Sequence, residues 1–267
     1  MNNIFTIIFS VRKKDNPTYS LPIFLDSFLQ HTNTEERKHS EILIKIDEDD
    51  GGISSDVSEF ASNINIKTFS WARHGGRHSL HENQFYLYKY KNPLSAWIQV
   101  MADDFIFTRS NFITEILNIQ SKYQILGTKL TEKLCHGCAP CFSRSVADSL
   151  CGMFGGNANA DGFVFFLEKI LKKEYNINNL VIDIEPYYQR TQCEHTGENK
   201  SDSFNKMTQH KTDIIFEQQA RNLYLSMLDF ERKCLIDFSS GHDLPTKPIK
   251  SYLAYVKRTI TKLYNNE

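Results

Sequence analysis

The sequence lacks the features that would direct it to nucleic acid or across a membrane. Its formal net charge is −1, so it has no overall positive field, and we expect no nucleic-acid partner. It has no apolar run of the roughly 18–20 residues that cross a bilayer. Its start, Met1-Asn-Asn-Ile-Phe, has no basic segment of the kind that opens a signal peptide. These absences lead us to expect a cytoplasmic protein.

The six cysteines do not complete a metal motif. Cys135, Cys138 and Cys141 form a Cys-x₂-Cys-x₂-Cys run, which supplies three soft ligands at metal-like spacing. A ferredoxin-type cluster would need a further cysteine where Ser145 stands, and zinc would need a fourth ligand that the sequence does not specify. We therefore favour reduced cysteines in a cytosolic protein and keep structural zinc as the alternative.

Strand and helix patterns alternate along most of the 267 residues, which suffice for one large domain or two small ones. Short apolar runs predict strands over residues 4–10, 41–47, 64–69, 96–101, 123–130 and 180–184. Apolar residues at helical spacing predict a helix that Ser20 caps, and further helices over 80–91, 111–121, 159–174 and 213–230. This alternation predicts an α/β fold with a mostly parallel central sheet flanked by helices.

Acidic residues stand at the ends of two predicted strands. The strand over 96–101 leads into Asp103 and Asp104, and the strand over 41–47 ends on Asp47. Ligands bind outside the carboxyl ends of the strands in open α/β sheets. Hard cations such as Mg²⁺ bind carboxylates there together with substrate phosphates. The two acidic ends therefore favour a metal and phosphate site over the alternative of a solvated loop or helix cap.

Residues 246–267 form a basic amphipathic segment. Its apolar residues repeat at helical spacing, and several lysines and an arginine lie between them. The apolar positions are Ile249, Leu253, Val256, Ile260 and Leu263. Such a helix either lies on an anionic membrane surface or packs on its own domain or on a partner subunit. Both alternatives are open, and the first would place the protein at the inner face of a membrane.

Several short segments follow one another in an informative order. They are Ile7-Ile-Phe-Ser-Val, Leu21-Pro-Ile-Phe-Leu-Asp-Ser-Phe-Leu-Gln, Ile44-Lys-Ile-Asp, His74-Gly-Gly-Arg, Met101-Ala-Asp-Asp, Ala160-Asp-Gly and Cys193-Glu-His-Thr-Gly. Their order and spacing, more than any single motif, resemble glycosyltransferases of the GT-A fold and the family-2 type. The resemblance covers roughly residues 4–200. It implies a single Rossmann-like domain, followed here by C-terminal helices.

The resemblance implies a binding site for a nucleoside-diphosphate sugar. Ser10 and Arg12 follow the first strand and are expected at the base or the phosphates, with Arg77 as a further phosphate contact. Asp47 is expected to accept a hydrogen bond from the base, which suits a UDP- or GDP-linked donor. Asp103 is expected beside the donor, where it would act on a metal through water.

The resemblance also implies metal and catalytic residues. Asp104 would hold Mn²⁺ or Mg²⁺, since Met101 occupies the first position of the family's Asp-x-Asp motif. His195 would complete the metal or diphosphate site, with His210 as the alternative. Asp161 would be the base that takes the proton of the acceptor hydroxyl, and single displacement would then invert the anomeric centre.

The reaction implied is transfer of a sugar to a saccharide or lipid-linked glycan, in the synthesis of a surface polysaccharide. The catalytic domain would span 1–210, with a nucleotide-binding half over about 1–108 and an acceptor half over about 109–210, and a helical extension would span 211–267. Two alternatives remain open. One is a non-catalytic nucleotide- or glycan-binding module of the same fold. The other is a sugar nucleotidyltransferase, although no Gly-rich phosphate loop follows the first strand.

Overall fold

The computed structural model describes residues 3–14, 16–17, 19–72, 79–128, 139–152, 154, 163–191 and 217–228. The strands are β1 (Ile4–Val11), β2 (Ser40–Asp47), β3 (Ile66–Trp71), β4 (Ser95–Val100), β5 (Phe105–Phe107), β6 (Ile125–Thr128), β7 (Cys141–Ser143), β8 (Val181–Ile184) and β9 (Tyr188–Arg190). The helices are α1 (Leu21–His31), α2 (Thr34–Lys38), α3 (Ile53–Ser58), α4 (Ser79–Lys89), α5 (Phe112–Leu117), α6 (Arg144–Ser149) and α7 (Phe163–Tyr175). Residues 217–228 are also helical.

Seven strands form the central sheet in the order β3-β2-β1-β4-β7-β6-β8. All neighbouring pairs are parallel except those that β7 makes with β4 and β6. The predicted α/β fold with a mostly parallel sheet is therefore confirmed. The chain winds outward from β1 through β2 to β3 and then returns to place β4 on the other side of β1. This reversal is the topological switch point at which α/β sheets bind ligands.

The six predicted strands correspond to β1, β2, β3, β4, β6 and β8, with shifts of one or two residues where their ends are described. The predicted helix over 111–121 is too long, because α5 ends at Leu117. The chain there turns toward β6, and the N–H of Gln124 donates to Ser143 Oγ at 3.0 Å. The short elements α2, α3, α6, β5 and β7 were not predicted.

Helices cover both faces of the sheet, since successive side chains of a strand point in opposite directions. On one face, Phe5, Ile7 and Phe9 of β1 pack in a core that includes residues of α1, α3 and α5. On the other face, Ile8 packs with residues of α4, α6, α7 and the helix over 217–228. No helix in the described part of the chain has the length and apolar character needed to cross a membrane.

The helix over 217–228 contributes to the second core through Ala220 and Leu223. Tyr224 stacks on Tyr175 with ring centroids 4.3 Å apart. The chain divides into two compact units, Met1–Met227 and Leu228–Glu267. The division of the chain at residue 210 that the sequence suggested stays a prediction.

Strands β5 and β9 form a separate two-stranded ribbon. Aromatic packing attaches this ribbon to the first core: Phe107 stacks on Phe112 at 5.0 Å, and Phe112 stacks on Tyr187 at 4.7 Å between ring centroids. The N–H of Phe107 also donates to Ser27 Oγ of α1 at 3.0 Å. Because Asp103 and Asp104 immediately precede β5, these contacts determine where the acidic turn lies.

Gly152 occupies a position that an L-residue with a side chain would strain. Its φ is +73°, and a Cβ built on it would lie 2.4 Å from a ring carbon of Tyr88. We expect Gly152→Ala to lower the free energy of unfolding by about 2–4 kcal/mol, since strain at positive φ and overpacking add. Urea unfolding measures this difference. Gly51→Ala is the control, because nothing lies within 4 Å of its Cβ position, and an equal loss there would refute the explanation.

Candidate functional site

The carboxyl ends of β2, β1 and β4 lie side by side at one edge of the sheet, here called the carboxyl edge. β1 ends beside Arg12, β2 ends on Asp47, and β4 leads through Met101 into Asp103 and Asp104. The strands are parallel neighbours, and strands pair about 4.8 Å apart. The structure therefore brings together at one edge residues that are far apart in the sequence.

Asp47 lies in a buried cluster of charges. Its side chain accepts from Arg12 Nη1 at 2.8 Å and forms a close ion pair with Lys45 Nζ. Lys45 is only 1% exposed and Asp47 only 7% exposed. Burial acts to raise the pKa of Asp47, but the hydrogen bonds from Lys45 and Arg12 outweigh it and leave the pKa below its usual value. Asp47 is thus an ionised acceptor at neutral pH.

Trp71 lies beside this cluster. It stands opposite Asp47 in the β2–β3 register, and Lys45 Nζ lies 5.7 Å from the centroid of its ring. The indole Nε1–H donates to Oδ1 of Asn83 in α4 at 2.9 Å. Asn83 is buried, so this hydrogen bond holds the ring in place against the helix.

The loops after β1 and β2 are joined by further ion pairs. Lys14 Nζ lies 3.2 Å from Asp49, and Lys13 Nζ lies 2.9 Å from Asp56. The backbone N–H groups of Lys13 and Lys14 both donate to Asp50 Oδ2, at 2.5 and 3.1 Å. Hydrogen bonds from Arg12 and Lys14 lower the pKa of Asp49 to about 2. The two loops therefore form one charge-balanced rim around Asp47.

Asp103 binds the start of α1. Its Oδ2 accepts from the N–H of Ser20 at 3.0 Å, and its backbone carbonyl accepts from Ser20 Oγ at 2.7 Å. Burial raises the pKa of Asp103, and the neighbouring charge of Asp104 adds to the shift against the opposing N–H of Ser20. The prediction that the Ser20 side chain caps α1 is wrong, since it makes no capping hydrogen bond. The hydroxyl is already engaged with Asp103.

Asp104 is held against β9. Its backbone carbonyl accepts from the N–H of Thr191 at 2.8 Å and from Thr191 Oγ1 at 3.0 Å. Its Oδ2 lies 3.4 Å from Nε of Arg190. The backbone of Asp104 is therefore hydrogen-bonded to the ribbon twice, whereas its side chain faces the Arg190 guanidinium through a longer contact.

The acidic turn partly fits a divalent cation. Among the described residues, no group of three or more His, Cys, Asp or Glu side chains is arranged to hold a metal. Met101 lies in the core and offers no ligand, and Asp103 is bound to Ser20. The Asp104 carboxylate faces the cation of Arg190. Mg²⁺ uses one or two carboxylates when phosphates supply the remaining oxygens. Asp104 is accordingly the described residue that would hold the metal.

Five of the predicted site residues lie at the carboxyl edge: Ser10, Arg12, Asp47, Asp103 and Asp104. Arg77, Asp161, His195, His210 and residues 246–267 lie outside the described residues. Their predicted roles stay predictions.

The cysteine run also lies mostly outside the described residues, which do not include Cys135 and Cys138. Cys141 is described: it is a free, buried thiol in β7. Burial raises the pKa of this thiol well above its usual value. The Cys141 thiol is therefore kept protonated, which disfavours it as a metal ligand because metals bind the thiolate.

The sequence reasoning missed Lys45, Trp71 and Arg190. A signal for Lys45 was present, because a lysine two residues before Asp47 in a strand shares its face. Trp71 and Arg190 reach the edge through strand pairing, with β2 and β5 respectively. No local pattern in the sequence reports such long-range contacts.

Comparison with solved structures identifies proteins of the same fold. S. aureus TarS 1–349 is 12% identical, with 89% of this chain and 75% of that chain covered and a TM-score of 0.54. The same protein in complex with UDP-GlcNAc gives 11% identity, coverage of 89% and 76%, and a TM-score of 0.54. The mannosyltransferase PcManGT from Pyrobaculum calidifontis, in complex with GDP-Man and Mn²⁺, is 12% identical, with coverage of 98% and 88% and a TM-score of 0.51.

These similarities define the class of fold. At such low identity they show the fold alone, and the chain therefore has a GT-A-like α/β fold. No family model matches the sequence, and a comparison with curated proteins gives no match.

The buried Lys45–Asp47 pair predicts a large stability effect. Asp47→Ala should lower the free energy of unfolding by about 3 kcal/mol, because it leaves the Lys45 ammonium buried without its carboxylate. Lys45→Met in the same chain should recover most of the loss, as measured by urea unfolding. Asp49→Ala is the matched control, since this exposed carboxylate also pairs with Arg12 and its loss should barely move the midpoint. A double variant no more stable than Asp47→Ala would contradict the role of Lys45.

The raised pKa of Asp103 predicts that the stability difference between Asp103→Asn and the wild type depends on pH. Because its pKa is raised in the folded state, its contribution to stability is fully present below the usual pKa of about 4 and is lost as the pH rises through the folded-state value. Asp103→Asn keeps an acceptor for the Ser20 N–H without the charge. Its stability relative to the wild type should therefore rise between pH 4 and pH 7 in urea unfolding. A stability difference between Asp103→Asn and the wild type that is constant with pH would rule out a raised pKa of Asp103.

Proposed function

We propose that the protein is a glycosyltransferase that transfers a sugar from a nucleoside-diphosphate sugar to a saccharide or glycolipid acceptor. The observation that carries the proposal is the carboxyl edge, where ionised Asp47 and the acidic turn flank the switch point of a GT-A-like fold. Solved structures of this fold support it, since TarS was determined with UDP-GlcNAc and PcManGT with GDP-Man and Mn²⁺.

The nucleotide end of the donor would lie against β1 and β2. Asp47 accepts hydrogen bonds and donates none, so it would suit a base that offers a ring imide or amide N–H, as uracil and guanine do. Arg12 would contact the phosphates once exposed Asp49 releases it. Ser10 stands opposite Lys45 at the end of β1 and would lie beside the same end of the donor. Arg77 is proposed as a further phosphate contact.

The diphosphate end would lie at the acidic turn. Mn²⁺ or Mg²⁺ bound there would act as a Lewis acid that stabilises the departing diphosphate. Asp104 is proposed to hold the cation together with His195, and Asp103 keeps the turn against α1. Asp161 is proposed as the base that removes the acceptor proton, which would give inversion.

The setting of the reaction is also a proposal. We infer a hexosyltransferase that works in surface-polysaccharide synthesis in the cytoplasm. The basic segment over 246–267 would hold it at the inner face of a membrane. Flotation with liposomes of anionic lipid, with and without this segment, tests that placement, and equal flotation would exclude it.

A second candidate function is a non-catalytic nucleotide-binding module. Met101 is buried where the family-2 type carries its first carboxylate, and Asp103 is engaged with Ser20. Such a module would bind nucleoside diphosphates without hydrolysing or transferring the sugar. Turnover of the donor distinguishes the two functions.

The donor site predicts thermal stabilisation by nucleotides. UDP or GDP with Mn²⁺ should raise the melting temperature, because a ligand at 100 times its Kd stabilises the folded state by about 2.7 kcal/mol. ADP and CDP serve as controls, since adenine and cytosine offer no ring N–H to Asp47. The absence of stabilisation by every nucleotide would refute the proposed donor site.

Asp104→Ala tests the metal-dependent step. It should lower Mn²⁺-dependent hydrolysis of the UDP- or GDP-sugar by about 100-fold or more, as loss of an electrostatic stabiliser does. Asp26→Ala is the control, because Asp26 is an exposed carboxylate of α1 bonded to Gln30. Full activity in Asp104→Ala would remove this residue from the site.

A further inference from the structure

Arg190 at the end of β9 makes a long contact with Asp104. Its Nε lies 3.4 Å from Asp104 Oδ2, and its Cζ lies 5.4 Å from the centroid of the buried Phe105 ring. The Nε is buried and has no hydrogen-bond partner among the residues that the structure describes. A guanidinium carries five N–H donors, and buried donors without partners are rare enough to need an explanation.

Arg12, the other described arginine at this edge, is used differently. It makes contacts of 2.8 and 3.0 Å with Asp47 and Asp49, which raise its pKa. Two carboxylates therefore neutralise Arg12, whereas among the described residues Arg190 faces one carboxylate, at a longer distance. Of these two cations, Arg190 is the more weakly paired.

The backbone around the Arg190–Asp104 pair is fixed while the side chains are only loosely joined. Phe105 pairs with Arg190 in the β5–β9 register, and Thr191 binds the Asp104 carbonyl twice. The side chain of Arg190 is 36% exposed and that of Asp104 is 15% exposed. The ion pair can therefore exchange partners without any movement of the strands.

We propose that Arg190 and a divalent cation bind Asp104 alternately, an inference that rests on the proposed function. In the free protein Arg190 neutralises Asp104. When the divalent cation and a nucleoside diphosphate bind together, Asp104 binds the cation. The Arg190 guanidinium then turns from the carboxylate to the diphosphate. Guanidinium groups bind phosphate oxygens through two parallel N–H donors. Asp104 thus keeps a positive charge beside it in both states.

Arg190→Gln tests this exchange, because it should move two affinities in opposite directions. The Kd for Mn²⁺ alone should fall about 3-fold to 10-fold, since its competitor for Asp104 is gone. The Kd for UDP or GDP at saturating Mn²⁺ should rise about 10-fold, as a charged hydrogen bond to phosphate is lost. Free Mn²⁺ is measured by electron paramagnetic resonance and the nucleotides by calorimetry.

Arg109→Gln is the matched control. Arg109 lies beyond the other end of the same ribbon and pairs with Glu115 at 2.8 Å and Glu185 at 3.3 Å. Its loss should change neither affinity. A purely structural role of Arg190 would weaken both kinds of binding, and this outcome, or no change in either, overturns the proposal.

Asp104→Asn provides a second arm that does not depend on metal. With EDTA present, it should bind UDP or GDP more tightly than the wild type, because Arg190 is released from the carboxylate. Asp104→Asn combined with Arg190→Gln should lose that gain, and a retained gain overturns the proposal. Wild-type protein that binds neither nucleotide overturns the proposed function as well, whereas normal binding with an unaltered Arg190→Gln affinity overturns the exchange alone.

Discussion

Charge compensation at the carboxyl edge is the constraint on which the candidate site depends. Two strands, β2 and β4, deliver carboxylates to the same edge, and β1 between them delivers Arg12. Like charges in a partly buried setting disfavour ionisation. Lys45 and Arg12 balance Asp47, the N–H of Ser20 meets Asp103, and Arg190 faces Asp104. These partners offset the negative charge of the edge while the strands beneath it stay packed.

The charges at the carboxyl edge are compensated in two ways, by a buried ion pair at Asp47 and by a longer, more exposed contact at Asp104. The Lys45–Asp47 pair is buried and braced by Trp71 and Asn83, so it gives the β2 end of the carboxyl edge a fixed shape. At the acidic turn, the backbone and the side chain of Asp104 make different contacts. The Asp104 carbonyl accepts two hydrogen bonds from Thr191, while its carboxylate lies 3.4 Å from Nε of Arg190. The backbone of this residue is thus held more tightly than its side chain is paired with Arg190.

The parts of this structure that were predictable are those that local patterns encode. β1 and α1 follow from apolar periodicity, and Asp47 and Asp103 were expected at an edge because parallel strands end together. The partners were not predictable in the same way. The contact between Thr191 and Asp104 joins residues 87 positions apart through a ribbon of two three-residue strands. Strands this short carry no periodic signal, and the antiparallel β7 was missed for the same reason.

The Thr191 anchor has a consequence for the histidines that follow it. His195 is four residues further along the sequence, and a chain of four residues extends at most about 14 Å. Covalent connection alone therefore sets an upper limit on how far position 195 lies from the acidic turn. His210 is nineteen residues beyond Thr191 in the sequence. Covalent connection to the anchor therefore limits the distance of position 210 far less than that of position 195.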